Sequence, residues 1–255
     1  MASSQKLLTE LKPFGLVAPT LNIDFDELPT ERTLGILWDS NTDSYVFKVL
    51  FKVDRSAVPC KSDFLSIISR VYDPLGFVSP VTFLMKQLMQ KIWKLDIDWG
   101  GDLPEEIVKR LFDWYDGLST LEGIRLSRGL RSQNIAAVVK LQFRVFTDAS
   151  SAGFGVVIYQ CTKYSDGRVE VSFVVSKTRV APLKQRTIPE LELKGACEGV
   201  ELAKTVVTEL DVNLRDVTFH TDAETVLKWI NSKSVKLSAF VGNRIGKIRR
   251  ETAAN

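Results

Sequence analysis

Phe143-Arg144-Val145-Phe146-Thr147-Asp148-Ala149-Ser150 alternates apolar and polar residues and closes on an acid. The period of two and the β-branched and aromatic content read as a strand over 142–148. Working outward, Gly153 and Gly155 open a second strand (152–160) that continues into Val156-Val157-Ile158-Tyr159. Thr162 to Gly167 is a plausible hairpin loop, followed by a third strand over 169–177. A basic loop (178–187) leads into a helix (189–210), and a strand (216–221) and a helix (223–231) complete the order. Phe240 to Ile248 reads as a further amphipathic helix in spite of Gly242 and Gly246.

This is an α/β order in which the first and fourth strands are well placed to lie side by side. If they do, Asp148 and Asp222 emerge near each other, and the long helix brings Glu192 over them. Three carboxylates in one place repel each other unless cations neutralise them. Carboxylates are hard oxygen donors, so the ions are Mg²⁺ or Mn²⁺, and a pair of them suits phosphodiester chemistry. Each acid also has a plain reading: Asp148 and Asp222 end strands, and Glu192 lies in a helix's first turn, where the macrodipole favours it. Spacing does not decide between the two. The glycines at 153 and 155 have two readings as well, close approach of a nucleic-acid backbone or close packing of a helix.

The front half has another texture. Residues 1–30 read as a short amphipathic segment and an acidic loop, with Asp24, Asp26 and Glu27. Thr33–Trp38 and Ser44–Phe51 read as a β-hairpin with a longer loop. Three helices follow, the first near Ser62 and Asp63 as candidate caps, the second from about Pro80, the third with Pro104 in its first turn. Residues 119–140 read as irregular and basic, and the domain boundary is placed there. Trp38, Trp93, Trp99 and Trp114 are read as core anchors, with base stacking as the alternative.

The bulk numbers narrow the field. A net charge of +3 permits a nucleic-acid partner without arguing for one. Three scattered cysteines imply a reducing compartment, and one histidine argues against a zinc site. The N-terminus lacks a signal peptide's apolar stretch and no run is long enough to span a bilayer. The expectation is an intracellular, cytoplasmic protein with no membrane partner.

Longer motifs then carry a resemblance. Phe146-Thr147-Asp148-Ala149-Ser150 with Gly153 and Gly155 resembles the opening of a retroelement ribonuclease H. Arg179 to Lys184, Thr187-Ile188-Pro189, Leu191-Glu192-Leu193 and Thr221 to Ile230 resemble the Pao/BEL class of long-terminal-repeat retrotransposon polyproteins. Leu34 to Trp38, Ser69 to Gly76 and Pro80-Val81 agree with the segment that follows that family's polymerase palm. The resemblance implies an α+β N-terminal part ahead of an α/β ribonuclease H-like domain. Residues 1–59 would be the end of the palm with a primer-grip-like hairpin, 60–140 a helical thumb and connection, and 141–255 the ribonuclease H-like domain. Asp148, Glu192 and Asp222 match the family's metal-binding acids, with two Mg²⁺ (or Mn²⁺) ions cutting the RNA strand of an RNA–DNA hybrid. Glu190 stands where the family is usually basic and competes with Glu192 for the ligand role. Arg179, Lys184 and Arg186 are candidate contacts to hybrid phosphates, with solvated loop charge as the alternative. Other parts of the polyprotein would be partners, within a virus-like particle if the element is active.

Two departures temper this. Such domains carry a further strand and a fourth acid beyond Ile248, and the polymerase's Tyr-x-Asp-Asp motif is missing. The expectation is a C-terminally truncated nuclease with weak or no activity, or an inactive nucleic-acid-binding or structural remnant. His220 is read as structural or solvent-facing in preference to a proton shuttle. Proteolysis has no motif behind it, since no Asp-Thr/Ser-Gly loop occurs.

Overall fold

The computed structural model describes residues 30–33, 36–39, 41–131, 136–232 and 237–252. All but the last residue of the expected amphipathic segment and acidic loop lies outside them, as do Leu34 and Gly35. The chain divides into two compact units. The first is Met1–Pro74 with Ile92–Ser132, the second Leu75–Lys91 with Gln133–Asn255.

In the first unit, β1 (Thr30–Thr33), β2 (Ile36–Asp39), β3 (Ser44–Val46) and β4 (Arg125–Ser127) form an antiparallel sheet in that order. The expected hairpin is present, but its second strand ends at Val46 rather than Phe51. A strand is only as long as its partner, and β4 offers β3 three residues. Beyond it, the Phe51 carbonyl accepts from the Tyr115 hydroxyl at 2.7 Å instead. β4 lies within the stretch read as irregular. Ion pairs of Arg125 with Asp39 and of Arg128 with Asp43, each at 2.6 Å, fasten it to the hairpin.

Helices α1 (Lys61–Ser69) and α3 (Glu105–Gly117) bury Phe64, Ile67, Ile107, Leu111 and Trp114, as their 3.6-residue spacing requires. The cap of α1 is Cys60, not Ser62 or Asp63; the Asp63 carboxylate reaches back to accept the Cys60 N–H at 3.0 Å. Pro104 caps α3 from just outside it, one position earlier than expected. Trp38 and Trp114 are core residues, whereas Trp93 and Trp99 are half exposed. Those two meet edge to face at 5.2 Å, with the buried Lys61 ammonium 5.2 and 5.9 Å from their rings.

The second unit is built on β5 (Val138–Ser150), β6 (Gly153–Tyr164), β7 (Val169–Val180) and β8 (Val217–His220), in the order β7-β6-β5-β8. β5, β6 and β7 are antiparallel neighbours, and β8 runs parallel to β5. The expected adjacency of the first and fourth strands of this region is therefore present. β5, β6 and β7 outrun their sequence boundaries because each finds a long partner, whereas β8 falls short of the expected 216–221. β6 consumes half of the expected loop, leaving a turn at Ser165–Gly167, and β7 takes in Thr178, Arg179 and Val180.

Helix α4 (Ile188–Glu209) lies on the face that carries Phe143, Val145, Val156 and Ile158, and these pack with Ala203 and Val206. Its approach is close: a Cβ on Gly199 would stand 2.8 Å from Thr147 Cγ2. The other side of α4 packs Leu193, Cys197 and Val200 against Val226 of α5 (Glu224–Asn231) and Val241, Ile245 and Ile248 of α6 (Ala239–Thr252).

Helix α2 (Ser79–Trp93) serves the opposite sheet face through its residues up to Lys91. The Phe83 ring fills the space above Gly153, where a Cβ would come within 2.9 Å of it. Gln90 donates to the Ala181 carbonyl at 2.5 Å. Ahead of the helix, the Ser176 N–H and hydroxyl donate to the Leu75 and Gly76 carbonyls at 2.8 and 2.7 Å, which covers the edge of β7 at that point. No described helix is long and apolar enough to cross a membrane.

Candidate metal centre

Pairing between β5 and β8 ends at Phe146↔His220. Asp148 and Asp222 each lie two residues past that pair, where the two strands no longer hydrogen-bond to each other. Glu192, in the second turn of α4, closes the gap from the helix side. The glycine on α4 nearest it, Gly195, places the helix backbone against Phe154 and Thr147; a Cβ there would meet them at 3.6 and 3.8 Å. One carboxylate oxygen from each of Asp148, Glu192 and Asp222 lies within 4.8 Å of the other two. Asp148 and Asp222 are exposed and Glu192 is buried, 7% accessible.

The two oxygens of Glu192 have different environments. Oε1 accepts the Ala149 main-chain N–H at 3.2 Å. Oε2 is buried and has no hydrogen-bond partner. Burial raises the Glu192 carboxyl above the ordinary carboxylate range, and the charges of Asp148 and Asp222 push the same way. A buried carboxylate with one oxygen lacking a donor, grouped with two more carboxylates, is a ligand set for a hard cation. The residues fit a divalent metal ion.

Glu190 has another task. Its Oε2 accepts the Thr187 N–H at 3.1 Å, while its own N–H donates to the Thr187 hydroxyl, completing a capping box at the start of α4. The Thr187 N–H, with Arg186 beside it, holds the Glu190 carboxyl below its usual range. The structure thus brings Glu192, and not Glu190, to the two aspartates.

The basic candidates are dispersed. Arg179 lies in β7 rather than in a loop and pairs with Glu198 at 3.3 Å, as Lys177 does at 2.5 Å. Arg186 pairs with Glu190 at 3.4 Å and stacks over the Phe240 ring at 4.2 Å. Lys184 is exposed. The His220 ring stacks on Phe146 at 4.6 Å and 13°, and its Nε2 stands 3.4 Å from an Arg144 nitrogen. A guanidinium only donates, so that ring nitrogen accepts. Cys197 is buried and its thiol is pushed up to about 11, which makes it inert. The group that sequence reasoning missed is the Ala149 N–H. A main-chain donor has no signature in residue types.

Residues 60–223 match the Pao retrotransposon-like RNaseH-like domain family. Among solved structures, ribonuclease H1 from the halophilic archaeon Halobacterium salinarum NRC-1 aligns at 11% identity and a TM-score of 0.30. That alignment covers 44% of this chain and 77% of the archaeal one. No curated protein matches. The family match spans well over half of the chain and includes the strands and helix that carry the three carboxylates; the chain belongs to the Pao retrotransposon-like RNaseH-like domain family.

Proposed function

We propose that this chain hydrolyses the RNA strand of RNA–DNA hybrids, with Mg²⁺ or Mn²⁺ held by Asp148, Glu192 and Asp222. The observation that carries the reading is the grouping of one oxygen from each of three carboxylates within 4.8 Å, with Glu192 buried and its Oε2 without a donor. Divalent ions bound there would polarise a phosphoryl oxygen and lower the pKa of a water nucleophile. The protein's own part is orientation. The Ala149 N–H fixes the Glu192 carboxylate through Oε1 and leaves its second oxygen without a protein donor. The exposure of Asp148 and Asp222 keeps the centre open to a polymer. Lys184, with Arg179 and Arg186, is proposed to touch hybrid phosphates, a contact that needs charge and no base readout. The other regions of a retrotransposon polyprotein are its proposed partners.

The test pairs two readouts. Mn²⁺ or Mg²⁺ should raise the Tm of the wild type and not that of Asp148→Asn, and only the wild type should cut the RNA strand of a labelled hybrid. Hybrid binding without cleavage, alongside a metal-induced Tm shift, would leave a metal-binding but inactive protein. Undiminished cleavage by Asp148→Asn would remove the assignment altogether.

A further inference from the structure

We propose that the sheet face beside the carboxylates seats the sugar–phosphate backbone of the strand entering the centre, with Gly155 as its floor and Lys86 of α2 as a phosphate anchor. The proposal rests on the nuclease reading above and adds to it a substrate path and a cation on α2.

The path follows from register. Asp148 is paired with Gly155, and Gly155 with Thr178, so the three form one cross-strand row on one face. The middle position has no side chain. A Cβ on Gly155 would meet only Thr178 Cγ2, at 3.9 Å. Two residues earlier the same face is filled, because the Phe83 ring occupies the space above Gly153. Helix α2 thus covers this face as far as Gly153, and Gly155 is left as a shallow floor running up to Asp148. Of the two readings of the paired glycines, Gly153 is closed by the Arg179 main-chain carbonyl, 2.2 Å from where a Cβ would stand, and by Phe83 of α2, and close approach of another backbone remains for Gly155.

The far end of the row carries the cation. Lys86 lies one helical turn beyond Phe83, is exposed, and donates to the Thr178 hydroxyl at 3.3 Å. The basic residues of β7 cannot serve here. Lys177 and Arg179 both turn to Glu198 of α4, on the other side of the sheet. Two inter-strand spacings put Thr178 about 10 Å from Asp148. At about 3.4 Å of axial rise per nucleotide, that is roughly three phosphates from the reacting one. Between Asp148 and Thr178 the row has only the bare Gly155 backbone, with an ammonium and a hydroxyl at its far end. It suits a backbone irrespective of sequence.

The full chain would be tested by fluorescence anisotropy with a labelled RNA–DNA hybrid in EDTA, across a range of NaCl concentrations. Lys86→Met should flatten the slope of log K against log salt by about 0.7–0.9, one phosphate contact. Lys109→Met removes the same charge from an exposed residue of the other unit and should leave the slope unchanged. Gly155→Ala should weaken binding at unchanged Tm, since its methyl group has room in the free protein. Equal slopes for the two lysine variants, or wild-type affinity in Gly155→Ala, would overturn the proposal. A wild type that cuts hybrid in Mn²⁺ while both groove variants bind normally refutes the groove alone. A wild type that neither binds nor cuts refutes the nuclease reading with it.

Discussion

Replacing Glu192 with glutamine should stabilise the metal-free protein. The glutamine carbonyl can keep the Ala149 N–H, and its amide puts a donor beside Asp148 and Asp222 in place of a carboxylate whose Oε2 has no partner. A buried polar atom left without a partner costs about 1–3 kcal/mol, and glutamine should recover about 1–2 kcal/mol of it. For a protein of this size that is a rise in Tm of about 2–8 °C, measured by calorimetry in EDTA near neutral pH. The pH dependence has a definite sign. Glu192 has a raised folded-state pKa, so the folded protein holds its proton more tightly than the unfolded chain does. Its contribution is favourable below the ordinary carboxylate value and is lost as pH rises through the raised one. The gap between Glu192→Gln and wild type should therefore be small at about pH 4 and widen upward to a plateau. Adding Mn²⁺ should reverse the order, because only the wild type has the full carboxylate set. A variant no more stable than wild type in EDTA, or a gap that grows as pH falls, would refute the reasoning.

Other substitutions test how the centre is supported. Gly199→Ala should cost about 1–3 kcal/mol by chemical denaturation, because its methyl group would press on Thr147 at 2.8 Å and lift α4 from the sheet. Gly76→Ala should cost at least about 1–2 kcal/mol from its φ of +80° alone, with more from displacement of Ser176, whose hydroxyl oxygen would lie 2.6 Å away. Thr187→Ala should lose about 0.5–2 kcal/mol with the α4 cap and, by freeing Glu190, loosen the turn that presents Glu192. Its signature would be weaker Mn²⁺ stabilisation in the same calorimetric assay, which Thr187→Ser should restore.

Sequence reading reached the elements of the second unit with small boundary errors. Their periodicities are strong, and β5, β6 and the helices bury one face. It did less well where length depends on a partner. β3 stops at Val46 because β4 is short, and β7 runs on through Arg179 because β6 accompanies it. Ser62 and Asp63 were reasonable caps by residue type, yet Cys60 holds the position, because a capping box is defined by where the third residue's carboxylate returns. Trp93 and Trp99 had the spacing of core residues, and they stand half exposed because spacing does not report which helix face meets a neighbour.

For the centre itself, the amino-acid sequence determined the three acids, their order on strand, helix and strand, and their family. Residue type and local period carry that much without a fold. Tertiary structure decided the rest. It chose Glu192 over Glu190 by committing Glu190 to the cap, and it left one Glu192 oxygen buried without a donor. It separated Gly153, closed by Phe83, from Gly155, left open beside Asp148. Those distinctions depend on which groups from distant segments share a few ångströms. Burial, charge repulsion and steric room act through space, so they take their values only once the chain has closed on itself.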